Sequence, residues 1–257
     1  MQRNILLCLI GLVLAAPLWA KDIHTIRWGV DSGFPPFDEL APNGEIVGFD
    51  IDIANALCEQ LGAECVFVKQ PFESMIAALN VNKFDAIIGS MNITEERKKE
   101  VDFTEKYYSS GEQLVARKGS GLRPDPAVLK GKTIGVQLGS VDESYARKHW
   151  AGQGVKLVAY HNQDSVYLDL FSGRIDAALQ NNLQAATGFL NTEKGKNFGF
   201  AGPAIQDGAL SSDVGIAVAK SNPELLEALN HAIRAIRANG TYDRIQQRYF
   251  SFDIYGS

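Results

Sequence analysis

An arginine sits where a helix start is least able to hold one. In the stretch Asn92-Ile93-Thr94-Glu95-Glu96-Arg97, the residue types predict a helix capped by Asn92 or Thr94, with two glutamates in its first turn to complement the positive end of the helix dipole. Arg97 opposes that dipole and needs a partner. A bound carboxylate would be one, because a guanidinium fork takes it in two parallel charge-assisted bonds; a surface pair with a nearby glutamate is the alternative. Asp31 and Phe34 in "GVDSGFPPF", and Phe72 in "PFESM", are a second group. Asp31 is either a counter-charge for a cation or the cap of the Phe34-Pro35-Pro36 turn. The two phenylalanines either flank an apolar part of a ligand or belong to a core. Ser140 in "LGSVDE" opens a predicted helix, whose first N–H groups are themselves an anion site.

These residues fall at the ends of predicted strands. From Thr25 the chain alternates strand and helix signals: "TIRWGVD", then a helix over "GFDIDIANALCEQLG" stopped by Gly62, strand "CVFVK", helix "FESMIAALN" and strand "DAIIG". From Lys132 the same order returns as "KTIGVQ", "SVDESYARKHW", "VKLVAY", "DSVYLDLFSG" and "DAALQ". Even the helix-to-strand joint is repeated, as "NKFDAIIGSM" at 82–91 and "GRIDAALQNN" at 173–182. Strands separated by helices predict parallel βαβ units, and two such series predict two α/β lobes. A strand, a long helix and a short helix over 213–250 are surplus to the second series and are expected to return to the first lobe. The expected organisation is lobe 1 over 21–108 and 215–257, lobe 2 over 112–205, and hinge crossings at 109–111 and 206–214. Ligands of parallel sheets sit outside the carboxyl ends of the strands, so the cleft between the lobes is the expected site. The first lobe brings Asp31, Phe34, Gly89, Ser90 and Asn92 to it. The second brings Gln137, Gly139, Ser140, Asp142, Gln180 and Asn181.

Met1–Ala20 has an early basic residue, an apolar run too short to favour a membrane span, and Ala20 before polar residues, which reads as a cleavable signal peptide. Removal takes Cys8 with it and leaves Cys58 and Cys65 in an oxidising compartment. A disulfide between them would close a short loop and stabilise by roughly 2–3 kcal/mol; two separate buried thiols are the alternative. His24, His149, His161 and His231 lack ligand spacing, so no metal and no other cofactor is expected. With 46% hydrophobic residues, 21% charged and a net charge of −5, the chain is an ordinary globular one and a poor candidate for nucleic acid.

Taken together, "GVDSGFPPF", "GEIVGFDIDIANALC", "FDAIIGSMNITEERKKEVDFTEKYY", "LKGKTIGVQLGS", "GRIDAALQ" and "ANGTYDRIQQRYF" resemble the periplasmic solute-binding proteins of polar amino-acid ABC transporters. The branch is the one that binds lysine, arginine, ornithine and histidine, which also carries the short Cys-to-Cys loop. The resemblance implies a type II two-lobed fold, with two mixed sheets flanked by helices and a two-strand hinge. It implies a periplasmic monomer that hands an amino acid to an inner-membrane permease. Carried over by position, it implies that Asp31 meets the ligand's distal cation between Phe34 and Phe72, and that Arg97 holds the α-carboxylate. The Asn92 region and the N–H groups of Ser140 and Val141 would assist Arg97, and Ser90 would bond the α-ammonium.

Two departures stand out. Asn181 replaces the aspartate that the family sets against the α-ammonium, and Gly89 replaces a small hydroxyl residue. An amide cannot neutralise a buried cation, so either Asp142 takes over the pairing or the ligand lacks a primary ammonium, as an opine does. The rival functions are a ligand sensor and a dehydratase of cyclohexadienyl substrates, for which Asp142 is the unusual acid.

Overall fold

The computed structural model describes residues 23–207 and 210–256, so the signal-peptide reading of Met1–Ala20 lies outside the described residues. Strand β1 (Thr25–Val30) turns Ile26, Trp28 and Val30 fully inward. A small antiparallel sheet follows, made of β2 (Gly33–Phe34), β3 (Asp38–Leu40) and β4 (Ile46–Val47). Helix α1 (Phe49–Leu61) ends at Gly62, which takes the left-handed conformation at φ 66° and returns its N–H to the last turn. Next come β5 (Glu64–Lys69), α2 (Met75–Asn80), β6 (Ala86–Ile87) and β7 (Val101–Ser109). The second series runs β8 (Glu112–Arg117), α3 (Pro126–Leu129), β9 (Thr133–Gln137), α4 (Val141–His149), β10 (Lys156–Tyr160), α5 (Gln163–Ser172), β11 (Ala177–Asn181), α6 (Asn182–Gln184) and β12 (Phe198–Phe200). Strand β13 (Asp213–Ala219), α7 (Pro223–Ala238) and α8 (Thr241–Tyr249) close the fold.

The first sheet has the order β5-β1-β6-β13-β7 and the second β10-β9-β11-β8-β12. In each, three strands are parallel and the fourth and fifth run antiparallel to their neighbours. The chain leaves the first sheet between β7 and β8 and re-enters it between β12 and β13, and α7 packs on α1 and β7. The two crossings are tied together, since Ser110 N–H donates to the Ser212 carbonyl at 2.8 Å.

The repeated joint has one physical basis in both lobes. Asp85 Oδ2 accepts the Arg27 N–H at 2.9 Å, and Asp176 Oδ2 accepts the Thr133 N–H at 2.8 Å, so each aspartate bonds the backbone of the parallel strand beside it, β1 or β9. The apolar residue before each aspartate lies over a glycine of that strand. A Cβ on Gly29 would come within 2.6 Å of the Phe84 ring, and one on Gly135 within 2.5 Å of Ile175 Cδ1. Phe-Asp-Ala and Ile-Asp-Ala therefore fit Trp-Gly-Val and Ile-Gly-Val as lock pieces.

The cores differ. Phe37, Phe49, Tyr107, Tyr108, Tyr242 and Phe250 build an aromatic centre in the first lobe, while two smaller clusters, one holding Trp150 and the other Tyr167, Phe189 and Phe198, cover the faces of the second sheet. Cys58 and Cys65 are joined in a disulfide, with the Trp28 indole N–H directed at both sulfurs at 3.3 and 3.1 Å. The helix expected after Asn92 is absent. Asn92 pairs with Val214 and Val101 with Ala219, both on β13. Anchoring both ends on one strand leaves room only for a 3-10 turn at Arg97–Lys99. Thr94 still acts as a cap, its Oγ1 accepting the Arg97 N–H at 3.2 Å.

Candidate functional site

The lobes are closed on one another. Gln137 Nε2 donates to Asp31 Oδ2 at 2.8 Å, Gln184 Nε2 to the Pro35 carbonyl at 3.0 Å, and Arg97 Nη2 to the Gly139 carbonyl at 3.1 Å, each bond crossing from one lobe to the other. His161 Nδ1 meets Glu73 Oε1 at 2.7 Å across the same seam. Gly139 has φ 76°, and a Cβ there would lie 2.8 Å from the Glu73 backbone, so only glycine allows this approach.

Between the lobes a cavity is lined by Asp31, Phe34, Phe72, Gly89, Ser90, Asn92, Gln137, Ser140, Asp142 and Asn181, all expected from the sequence. Arg97 and Val141 line an adjoining recess that shares Ser140. Asp38, Glu112 and Gln163 also line the cavity and were not anticipated. Glu112 is the first residue of β8, immediately after the expected crossing at 109–111, so the crossing itself is the signal that finds it.

The side chains form two groups. In the first, Asp31 does not cap the proline turn; that role falls to Asp38, whose Oδ1 accepts the N–H groups of Ser32 at 2.8 Å and Gly33 at 3.2 Å. Burial raises the Asp31 carboxyl to about 6 against the Gln137 bond, which favours the ion, and Glu73 and Asp164 push the same way as burial while Lys69 opposes. Burial also raises Asp38 well above the ordinary range, with Asp50 and Asp31 adding repulsion. Asp50 is wholly buried and raised to about 7 by burial. It accepts bonds from Tyr107 at 2.8 Å and from Ser90 Oγ at 3.1 Å. The Ser90 hydroxyl, its hydrogen committed to Asp50, faces the cavity as an acceptor.

The second group surrounds the crossing. Arg97 Nη1 donates to the Asn92 carbonyl at 2.9 Å, and the guanidinium lies 5.4 Å from the Phe72 ring centre. The residue keeps partial solvent access, yet the protein packed about its guanidinium lowers its pKa to about 10, with Glu112 and Asp142 opposing that shift. Its two backbone bonds leave donor capacity, because a guanidinium has five N–H groups. Asn92 Nδ2 donates to Glu112 Oε1 at 3.3 Å and to the Ser211 carbonyl at 2.9 Å. Ser140 is the N-cap of α4, its Oγ accepting the Glu143 N–H at 3.0 Å while its own N–H turns back to Gln137. The next N–H, at Val141, opens the helix. Asn181 is spent on structure: its Oδ1 accepts the Gln184 N–H at 3.1 Å as the cap of α6, and its Nδ2 donates to Ser110 Oγ. Gly89 leaves space beside Met75 and Asp38.

A closed two-lobed cleft edged by carboxylates, hydroxyls and one guanidinium is built to enclose a small charged solute. Known proteins bear this out. The chain is 45% identical to the L-arginine-binding protein of Pseudomonas aeruginosa over 95% of each chain. It is 42% identical to the lysine/arginine/ornithine-binding periplasmic protein of Escherichia coli over the full length of both. A solved ancestral arginine-binding protein bound to arginine superposes with TM-score 0.83 at 38% identity, covering 90% of this chain and all of that one. These relatives are binding proteins, and this chain is one as well rather than an enzyme. With residues 26–252 matching the family model as a continuous unit, the chain belongs to the bacterial extracellular solute-binding proteins, family 3.

Proposed function

We propose that this protein captures arginine, or the related cations lysine, ornithine or histidine, and presents its closed form to the inner-membrane permease of an ABC importer, acting as a periplasmic monomer. The observation that carries this reading is the split of charge in one cavity: Asp31 and Asp38 in one group, Glu112 and Asp142 in another, with Arg97 beside the second. A cationic amino acid carries the matching pattern of distal cation, α-ammonium and α-carboxylate. The side chain of arginine lies between Phe34 and Phe72, its guanidinium meets Asp31, and its carboxylate takes the free donors of Arg97. The crossings at 109–111 and 206–214 serve as the hinge. Contacts to both lobes favour the closed form over the open one, and that difference is what a permease reads.

The test is a thermal-shift screen of refolded protein. Arginine at a hundred times its dissociation constant adds about 2.7 kcal/mol of stability, and Arg97→Ala is expected to keep the unliganded melting temperature while losing the response. A response undiminished in Arg97→Ala would contradict the carboxylate role.

A further inference from the structure

The carboxylate missing at Asn181 has a replacement one strand away. Asn181 on β11 and Glu112 on β8 are directly opposed in an antiparallel ladder, and opposed side chains leave the sheet on the same face about 5 Å apart. Glu112 is 3% exposed and Asp142, which reaches the same cavity from the first turn of α4, is 7% exposed. Their carboxyl groups face each other. Glu112 Oε1 is bonded by Asn92, but Glu112 Oε2 and Asp142 Oδ1 are buried with no hydrogen-bond donor among the described residues. Two buried acceptors that face one another require a hydrogen or a cation between them, since each alone loses its solvation. The other charged or titratable groups about the pair are Arg97, across the seam, and the buried Tyr108 hydroxyl. Arg97 directs its two bonds to the Asn92 and Gly139 carbonyls, and neither it nor any other described residue donates to Glu112 Oε2 or Asp142 Oδ1.

We propose that Glu112 and Asp142 together receive the primary α-ammonium of the ligand, which displaces the hydrogen held between them and releases it to solvent. The pair thereby selects free amino acids over N-substituted ones. An opine carries an acidic arm on that nitrogen and would set a further carboxylate against two others, which disfavours the reading of Asn181 as an opine signature. The assignment rests on the proposed amino-acid function.

Calorimetry tests it with L-arginine and Nα-acetyl-L-arginine, the latter lacking the α-charge. Wild type is expected to prefer arginine at least 100-fold and to release close to one proton at pH 7, read from the dependence of binding heat on the buffer's ionisation enthalpy. Glu112→Gln and Asp142→Asn are each expected to reduce that preference at least tenfold and to abolish the proton release. In the Glu112→Gln/Asn181→Asp double variant, which moves the charge back across the ladder, arginine binding is expected to recover; recovery also shows that the single variant was folded. Unchanged preference in both single variants, or no recovery in the double variant, overturns the assignment while leaving the amino-acid function standing. Failure of wild type to bind arginine, lysine, ornithine or histidine overturns both.

Discussion

The two lobes share a topology but not a chemistry. At matched strand ends, Asp31 follows β1 and Gln137 ends β9, and the pair bond to each other across the seam. Behind Asp31 the first lobe stores further carboxylates, Asp38 and Asp50. Behind Gln137 the second lobe stores a chain of neutral groups, in which Gln163 donates to Gln180, Gln180 to Tyr167, and Tyr167 to Gln184. Around the crossing the signs change over, with Glu112 and Asp142 in the second lobe and Arg97 in the first. In the proposed function, a ligand's distal cation meets the first lobe's charge while the second lobe closes over it with amides. Neutral amides complete hydrogen bonds without adding a charge that must be desolvated.

Removing the charge from the first lobe breaks this division most severely. Asp31→Asn leaves a buried distal cation against an amide, and loss of one partner of a buried charge pair costs about 2–5 kcal/mol, so arginine affinity is expected to fall about 100-fold by calorimetry. An affinity within threefold of wild type would place the distal cation elsewhere.

Protonation makes the same cut reversibly. The Asp31 carboxyl is raised to about 6, so the unliganded closed form keeps that group's contribution below about pH 4 and loses it as the pH rises through 6. Cation binding runs the other way, because it needs the ion. Affinity is expected to weaken by up to about tenfold per pH unit below 6 through this group. Titrations at pH 5, 6 and 7 measure the slope, and Asp31→Asn should flatten the share that belongs to this residue.

The neutral side sharpens the comparison with the smallest effect. Gln137→Ala removes one hydrogen bond to a charged group, about 1.5–3 kcal/mol at most, part of which water recovers; a three- to tenfold loss for arginine is expected. A loss as large as that of Asp31→Asn would show that the lobes contribute alike.

Much of this was legible in the residue order. The strands, the helix stop at Gly62 and the repeated joint were readable because hydrophobic period, turn residues and caps act over a few positions. The cavity residues at strand ends were readable for the same reason, since a βαβ unit fixes which end of a strand opens to a ligand. The helix expected at Asn92 failed because β13, more than a hundred residues away in sequence, pins both ends of that segment. Glu112 was missed because its importance lies in what it opposes.

The sequence by itself determined two α/β series with polar residues at their strand ends, and its resemblance to the family marked Asn181 as standing where an aspartate is usual. Only the tertiary structure decided that Asn181 is a cap, that the missing charge reappears at Glu112 across the ladder, and that Asp142 faces it. The reason is physical: periodicity and capping are local along the chain, whereas the balance of buried charge depends on strand register and lobe closure, which bring together residues with no sequence relation.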